Sequence, residues 1–368
     1  MSPPGLESNF LEIMNARLSQ LILSVLTAAA CPARAGEPDA AAPISMASAP
    51  SRWRFGAGYA PLIGLKTEFT GLGKFNSPFA PQPVGGGVDY DYDDGFVHVD
   101  SSNNLGGKTW NWGHDSDTQV NGGSIDFSIT NSVANARTDE DSSAKGGVEL
   151  YTYYDMGAVA IPGLRERGAT WGFRGGLHYA HINVDSNNTI SSDLSTLTDR
   201  FNLDGVIPPL APYVGSFGGP GPLLGDSPSR TITTGGKALV AGSRHLDVDL
   251  TTFNFGTYLE VPVAQKLDLM FEAGVSAAVA AGSYDFESTT TATGLGTQTS
   301  SGSDSDSSVL TGFYLGVGGT YQLSEKWSIQ AAGRYQCMED FELGGNGSNA
   351  SLSFDSAFVL SLGALYSF

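Results

Sequence analysis

The chain ends on a strand. From Ala357 to Phe368 its apolarity has a period of two. Phe358, Leu360, Leu362, Ala364, Tyr366 and Phe368 fall on one face, and Ala357, Val359, Ser361, Gly363, Leu365 and Ser367, smaller on average, fall on the other. Successive side chains of a strand point to opposite sides, so this terminal strand carries one uniformly apolar face up to its last residue. Such a face requires lipid beside it. Beyond a short N-terminal apolar stretch, no run approaches the roughly 20 apolar residues that a membrane helix needs, so any membrane crossing must be made of strands.

Seven earlier segments alternate in the same way. Trp327, Ile329, Ala331, Gly333, Tyr335 and Cys337 oppose Ser328, Gln330, Ala332, Arg334, Gln336 and Met338. The first set reads as a lipid face with aromatics towards both ends; the second reads as a polar lumen. The stretches Val309 to Leu323 and Leu267 to Val279 repeat the pattern, as do those near 52–66, 145–157 and 168–182. The segment from about Leu246 to Val261 is irregular. Its apolar set is Leu246, Val248 and Leu250 at first, then Phe253, Phe255, Leu259 and Val261. That one-residue change of phase is expected to mark a β-bulge or a later strand start. The total is eight.

The connections give independent support. The first, third and fifth spacers are long, the first two of them about 78 and 63 residues, and the second, fourth and sixth run to about 10, 3 and 2, the long-outside, short-inside asymmetry of an outer-membrane barrel. The expected fold is therefore all-β: an antiparallel transmembrane β-barrel of about eight strands, within a range of eight to twelve, with long extracellular loops and short periplasmic turns. Two further segments, Phe96 to Val99 and Ser124 to Ile129, are candidates to extend the barrel above the membrane or raise the count to ten.

These eight strands and the terminal Leu362-Gly363-Ala364-Leu365-Tyr366-Ser367-Phe368 resemble the small outer-membrane β-barrel superfamily of OmpA-type, OmpX-type and OmpW-type barrels. The resemblance implies that Phe368 and Tyr366 belong to the C-terminal signal read by the barrel-assembly machinery. It is architectural and carries little about function. The chain departs from the OmpA-type pattern in its very long first and second outer loops.

The N-terminus agrees with export. Arg17 forms a short basic region, Leu18 to Ala30 an apolar one, and Ala33-Arg34-Ala35 a cleavage site before Gly36. The expected organisation is a signal peptide over 1–35 (with an N-terminal extension, 1–13), a flexible periplasmic lead-in over 36–50, and an outer-membrane barrel over 51–368. A lipoprotein site at Cys31 is the alternative. Cleavage would leave one thiol, Cys337, and no internal disulfide. The net charge of −19 excludes a nucleic-acid partner, since phosphate binding needs a basic face. The expected partners are outer-membrane lipid, lipopolysaccharide and the assembly machinery of a Gram-negative-type envelope, with an extracellular ligand unspecified.

Charged residues of both signs fall on lumen faces: Arg54, Glu149, Arg174, Glu260, Asp268, Glu272 and Arg334, with Asp155 and His178. An eight-stranded barrel is just wide enough for side chains to fill. These residues are expected either to pair into an interior plug or to line a gated polar pathway. In the first outer loop, Asp89, Asp91 and Asp93 form a weak calcium candidate, although the EF-hand spacing fails because its Gly and Glu positions hold Asp94 and Asp100. Trp110 and Trp112 are expected to pack a loop core or present a ligand surface. The apolar run Val206 to Tyr213, continuing through Phe217 to Leu223 and Leu224, reads as a contact site or a lid. His181 and His245, near Asp185 and Asp247, lack a nucleophile motif. The chain is therefore expected to be a non-enzymatic barrel without a cofactor, serving envelope integrity or surface interaction through its loops. A small porin-like channel or ligand-uptake barrel is the alternative.

Overall fold

The computed structural model describes residues 52–141 and 143–368; the signal segment, the lead-in and Cys31 lie outside the described residues. Eight strands make the barrel: β1 (Trp53–Tyr59), β2 (Gly147–Ala158), β3 (Thr170–Ser186), β4 (Ser229–Ala264), β5 (Leu267–Ala292), β6 (Gly296–Gln322), β7 (Trp327–Met338) and β8 (Ala357–Ser367). Each pairs antiparallel with the next. β8 then returns to β1, from Arg54 opposite Ser367 to Tyr59 opposite Leu362. The ring closes at eight and leaves no open edge at this level. The segments Ser124–Ser132 and Gly95–Val97 lie outside the ring. No helix among the described residues is long and apolar enough to cross a membrane.

The phase change in β4 is not a bulge. Pairing with β3 runs without a shift from Thr170 opposite Glu260 to Ser186 opposite Arg244. The environments exchange instead. Phe253 and Phe255 point outward and are 54 % and 60 % exposed, whereas Leu246, Val248 and Leu250 point inward and are at most 1 % exposed. Neighbouring strands change at the same height. On β3 the outward Leu177 and Tyr179 give way to the inward Ile182 and Val184; on β5 the outward Val275 and Val279 give way to the inward Tyr284 and Phe286. Below this level lipid lies outside, and the apolar face must point out. Above it water lies outside, and the same strand must turn its apolar side chains inward. A period-two strand meets both demands by changing which face is apolar.

The strands therefore run well past the membrane. β4, β5 and β6 are 36, 26 and 27 residues long, against the roughly 9–11 that a crossing needs. The fifth spacer, expected to be a loop, is mostly the upper half of the β5–β6 hairpin, in ladder up to Ala292 opposite Gly296. The strand Ile190–Asn202 continues β3 along β4, with Ile190 opposite Val240, and its other edge takes Ser124–Ser132.

On the other side of the ring, above β2, β1, β8 and β7, the chain forms a second sheet in the same order, Ala136–Asp141, Lys66–Leu72, Ser348–Ser353, Phe341–Gly345. Its Phe69, Leu72, Phe341, Leu343 and Leu352 join Leu246, Val248, Tyr284 and Phe286 in one buried cluster. This is an ordinary water-soluble core built on top of a membrane barrel.

Candidate functional site

Two assemblies hold chemistry: a charged layer in the barrel and a cap made by the long loops. In the membrane section the inward positions are polar. Glu149 on β2, 1 % exposed, accepts from Nη2 of Arg174 on β3 at 2.5 Å and from both Nη atoms of Arg334 on β7 at 2.5 Å. Glu272 on β5 faces the same arginines, 2.9 Å from Arg174 Nε and 3.7 Å from Arg334 Nε. One layer lower, Arg54 on β1 grips Glu260 on β4 with two bonds of 2.8 and 3.2 Å. Rings pack around these groups. The Arg54 guanidinium lies 5.1 Å from the Tyr153 ring centre and 5.4 Å from that of Tyr258, and Arg174 lies 5.6 Å from that of Tyr151. Gly316 leaves the room the layer needs: a Cβ there would stand 2.6 Å from Glu272 Cγ and 2.7 Å from Arg334 Cγ.

The structure thus places six of the seven charged lumen candidates in two interlocked groups. Asp268 takes no part. It sits at the start of β5 near the short turns, half-exposed, and the arginine nearest in height, Arg54, is already held by both oxygens of Glu260. Asp155 accepts from the Gly157 backbone N–H at 2.6 Å, at the β2–β3 register shift. His178 Nε2 lies 2.8 Å from the carbonyl of Ala60. The tyrosines and Gln330, whose amide donates to the Tyr153 hydroxyl at 2.7 Å, were not singled out from sequence. Their lumen parity with Glu149 and Arg334 was the available signal.

Tyr366 and Phe368 lie on the outward face at the short-turn end. Trp327 and Tyr366 meet at 5.0 Å, Tyr366 and Phe368 at 4.9 Å, and Phe55 and Phe368 at 5.7 Å. This is half of an aromatic girdle, where amphipathic rings settle at a membrane interface.

The cap is folded around rings. Tyr90, Tyr92, Trp112, Phe127 and Phe201 are at most 3 % exposed and form one cluster. Its small sheet runs Tyr213–Val214, Trp112–His114, Gly95–Val97, Tyr90–Tyr92, so the second loop is paired onto the first. Asp199, fully buried, takes two bonds from Arg230 at 2.8 and 2.6 Å and one from the Tyr92 hydroxyl at 2.8 Å. Burial and the Asp199 carboxylate push the Tyr92 hydroxyl well above the usual range. Burial also tends to raise Asp100, but donors from Ser102, Asn104 and Trp110 outweigh it and hold that carboxyl below the ordinary value.

Asp89, Asp91 and Asp93 do not converge. Asp89 accepts from Val99 N–H at 2.7 Å, Asp91 pairs with His98 at 2.8 Å, and Asp93 accepts from the Ser77 hydroxyl at 2.5 Å and Thr130 N–H at 2.7 Å. No metal-binding group of three such side chains occurs among the described residues, and the spacing that suggests calcium does not bring these three carboxylates together. Trp112 is core, its indole donating to the Pro222 carbonyl at 2.8 Å; Trp110, half-buried, donates to the Phe217 carbonyl at 3.2 Å. The apolar run does not fold in as a lid. Ile207, Leu210, Val214 and Phe217 are 89, 82, 75 and 62 % exposed. His181 lies 3.1 Å from Asp249, and His245 lies 2.7 Å from Asp185. Both pairs are on the outer wall above the lipid level, and neither histidine hydrogen-bonds a serine or cysteine.

No protein-family model matches the sequence, and no curated protein matches it. Among solved structures, the chain is similar to Ail, the attachment invasion locus protein of Yersinia pestis, at 9 % identity and a TM-score of 0.27, over 86 % of this chain and 97 % of that one. It is similar to the outer membrane protease OmpT from Escherichia coli at 10 % identity and 0.28, over the same shares. A Pseudomonas aeruginosa FadL homologue aligns at 11 % identity and 0.18, over 86 % and 90 %. No residue role passes from them to this chain. The closed antiparallel ring, the outward apolar belt, the inward charged layer and the aromatic girdle give the chain the architecture of a small outer-membrane β-barrel.

Proposed function

We propose that this chain is a non-enzymatic outer-membrane scaffold with a sealed barrel, exported through a cleaved signal peptide, that supports envelope integrity or surface interaction through its outer cap. One observation carries the reading: the lumen is filled twice over. The Glu149, Arg174, Glu272 and Arg334 layer occupies its width, with every member at most 4 % exposed. The apolar cluster of Phe69, Leu246, Val248 and Leu352 lies above it. A solute would have to break buried ion pairs and then cross a dry core. What remains accessible is the cap, whose Ile207 to Phe217 ridge offers the exposed apolar surface that marks contact sites. Lipid, lipopolysaccharide and the assembly machinery are the partners this reading assigns.

Planar-bilayer recording on the purified full chain tests it. The scaffold reading expects no steady conductance. Steady ohmic steps would replace it with the channel reading.

A further inference from the structure

The two long loops are clasped at one place. Tyr213 and Val214 pair with His114 and Gly113. Around that pair, Gly215 N–H donates to the Trp112 carbonyl at 2.8 Å, Ala211 N–H donates to Asp117 Oδ1 at 2.7 Å, and Ser101 N–H donates to the Phe217 carbonyl at 2.9 Å. His114 stands at the centre. It is fully buried, neither ring nitrogen has a hydrogen-bond partner, and its neighbours are the rings of Trp112 at 5.7 Å and Tyr213 at 6.2 Å. A neutral imidazole tolerates this box. An imidazolium carries two N–H donors and a charge, and in this arrangement neither nitrogen has an acceptor within hydrogen-bond reach.

We infer that His114 makes the clasp acid-labile, so that the Ile207–Phe217 ridge is held in place near neutral pH and released on acidification. The inference rests on the cap being the working surface of this protein. The charged groups that act on His114 are Asp115 and Asp117, which sit on the segment that follows it, and burial outweighs both, holding the imidazole below its ordinary value. Across the clasp, Tyr213 presents a neutral phenol. On the adjoining strand, Asp94 turns its carboxylate away to Ser128. Asp117 is also the acceptor that ties Ala211. An imidazolium drawing on Asp117 would loosen a second clasp contact.

A histidine whose folded value is lowered stabilises above its unfolded value and loses that contribution as pH falls. With an ordinary value of 6.5, the opening equilibrium rises between pH 7.5 and pH 5, by up to about 30-fold. Hydrogen exchange of the folded full chain in detergent, corrected for intrinsic rates, reads this over 206–217. We expect that rise in the wild type and a pH-independent value in His114→Gln, with the heat-induced gel-mobility shift of the barrel unchanged in both. His114→Phe, which keeps the ring packing, covers the case in which the glutamine variant fails to order the cap. Equal corrected exchange at both pH values, or the same pH dependence in a folded variant, would overturn the inference. A channel-positive barrel with an acid-labile clasp would instead separate failure of the scaffold reading from failure of this one.

Discussion

Replacing Glu149 with glutamine should destabilise the barrel more than any conservative change at its surface. Glu149 is 1 % exposed and receives three charge-assisted bonds, one from Arg174 and two from Arg334. After the substitution, both arginines remain buried and share Glu272 alone, at 2.9 and 3.7 Å. Removing one partner of a buried pair costs about 3–5 kcal/mol, mainly because the other charge is stranded. Two cations are affected here, which places the expectation near the upper end of that range. Equilibrium urea unfolding in short-chain lipid vesicles, followed by tryptophan fluorescence, measures the loss. The urea slope should stay constant, because the surface exposed on unfolding does not change. A double-mutant cycle of Glu149→Gln with Arg334→Met should return a coupling of about 2 kcal/mol or more, since the residues touch. Asp268→Asn, at an unpaired half-exposed site, should stay within about 0.5 kcal/mol. A loss below about 1 kcal/mol for Glu149→Gln would refute the claim that this layer is a dry, interlocked plug.

Three further outcomes follow from other parts of the molecule. Val275→Arg, in the middle of the outward belt opposite Phe255 and Phe313, should cost about 2–4 kcal/mol in the same unfolding assay, the range for a cation at mid-bilayer depth. Tyr92→Phe removes a bond to the buried Asp199 and should cost the cap about 1–2 kcal/mol, seen as faster hydrogen exchange over Tyr90–Val97 with the barrel's heat-induced mobility shift intact. Asp100 has a folded value below its ordinary 3.8, so its contribution is present above about pH 4 and lost as pH falls through the lowered value. Exchange protection around residues 100–110 should therefore drop in strong acid for the wild type, whereas Asp100→Asn should already be less protected at pH 6.

The membrane section was legible because lipid imposes a rule that each strand obeys locally. Phe358, Leu360 and Leu362 point outward whatever lies across the barrel, so period-two apolarity and spacer length were enough to find eight strands. The lumen charges were legible for the same reason, through parity. Asp268 has the right parity and the wrong depth, and depth is not written into a two-residue repeat. The upper half of the β5–β6 hairpin was missed because its stretch from Ser300 to Ser308 carries only Ser, Gly and Asp, with no apolar alternation to report a strand. The phase change in β4 was visible but misread. A bulge and a change of solvent leave the same trace in sequence, and only the unbroken register decides between them. The cap was opaque because its contacts join distant positions. Asp199 holds Tyr92 and Arg230, and Trp112 holds Pro222; no local pattern connects any of these pairs.

The most direct test of this account is a nitroxide scan along β4 in lipid vesicles, one label at a time from Arg244 to Leu259, read with an apolar and a polar relaxation agent. Labels at 253 and 255 should be open to oxygen, labels at 245, 247 and 249 should be open to the water-soluble agent, and labels at 246, 248 and 250 should be shielded from both. Lipid exposure alternating through the whole strand, with 246 to 250 facing oxygen, would show instead that β4 shifts register inside the bilayer, and would contradict the exchange of faces on which the fold and the sealed lumen depend.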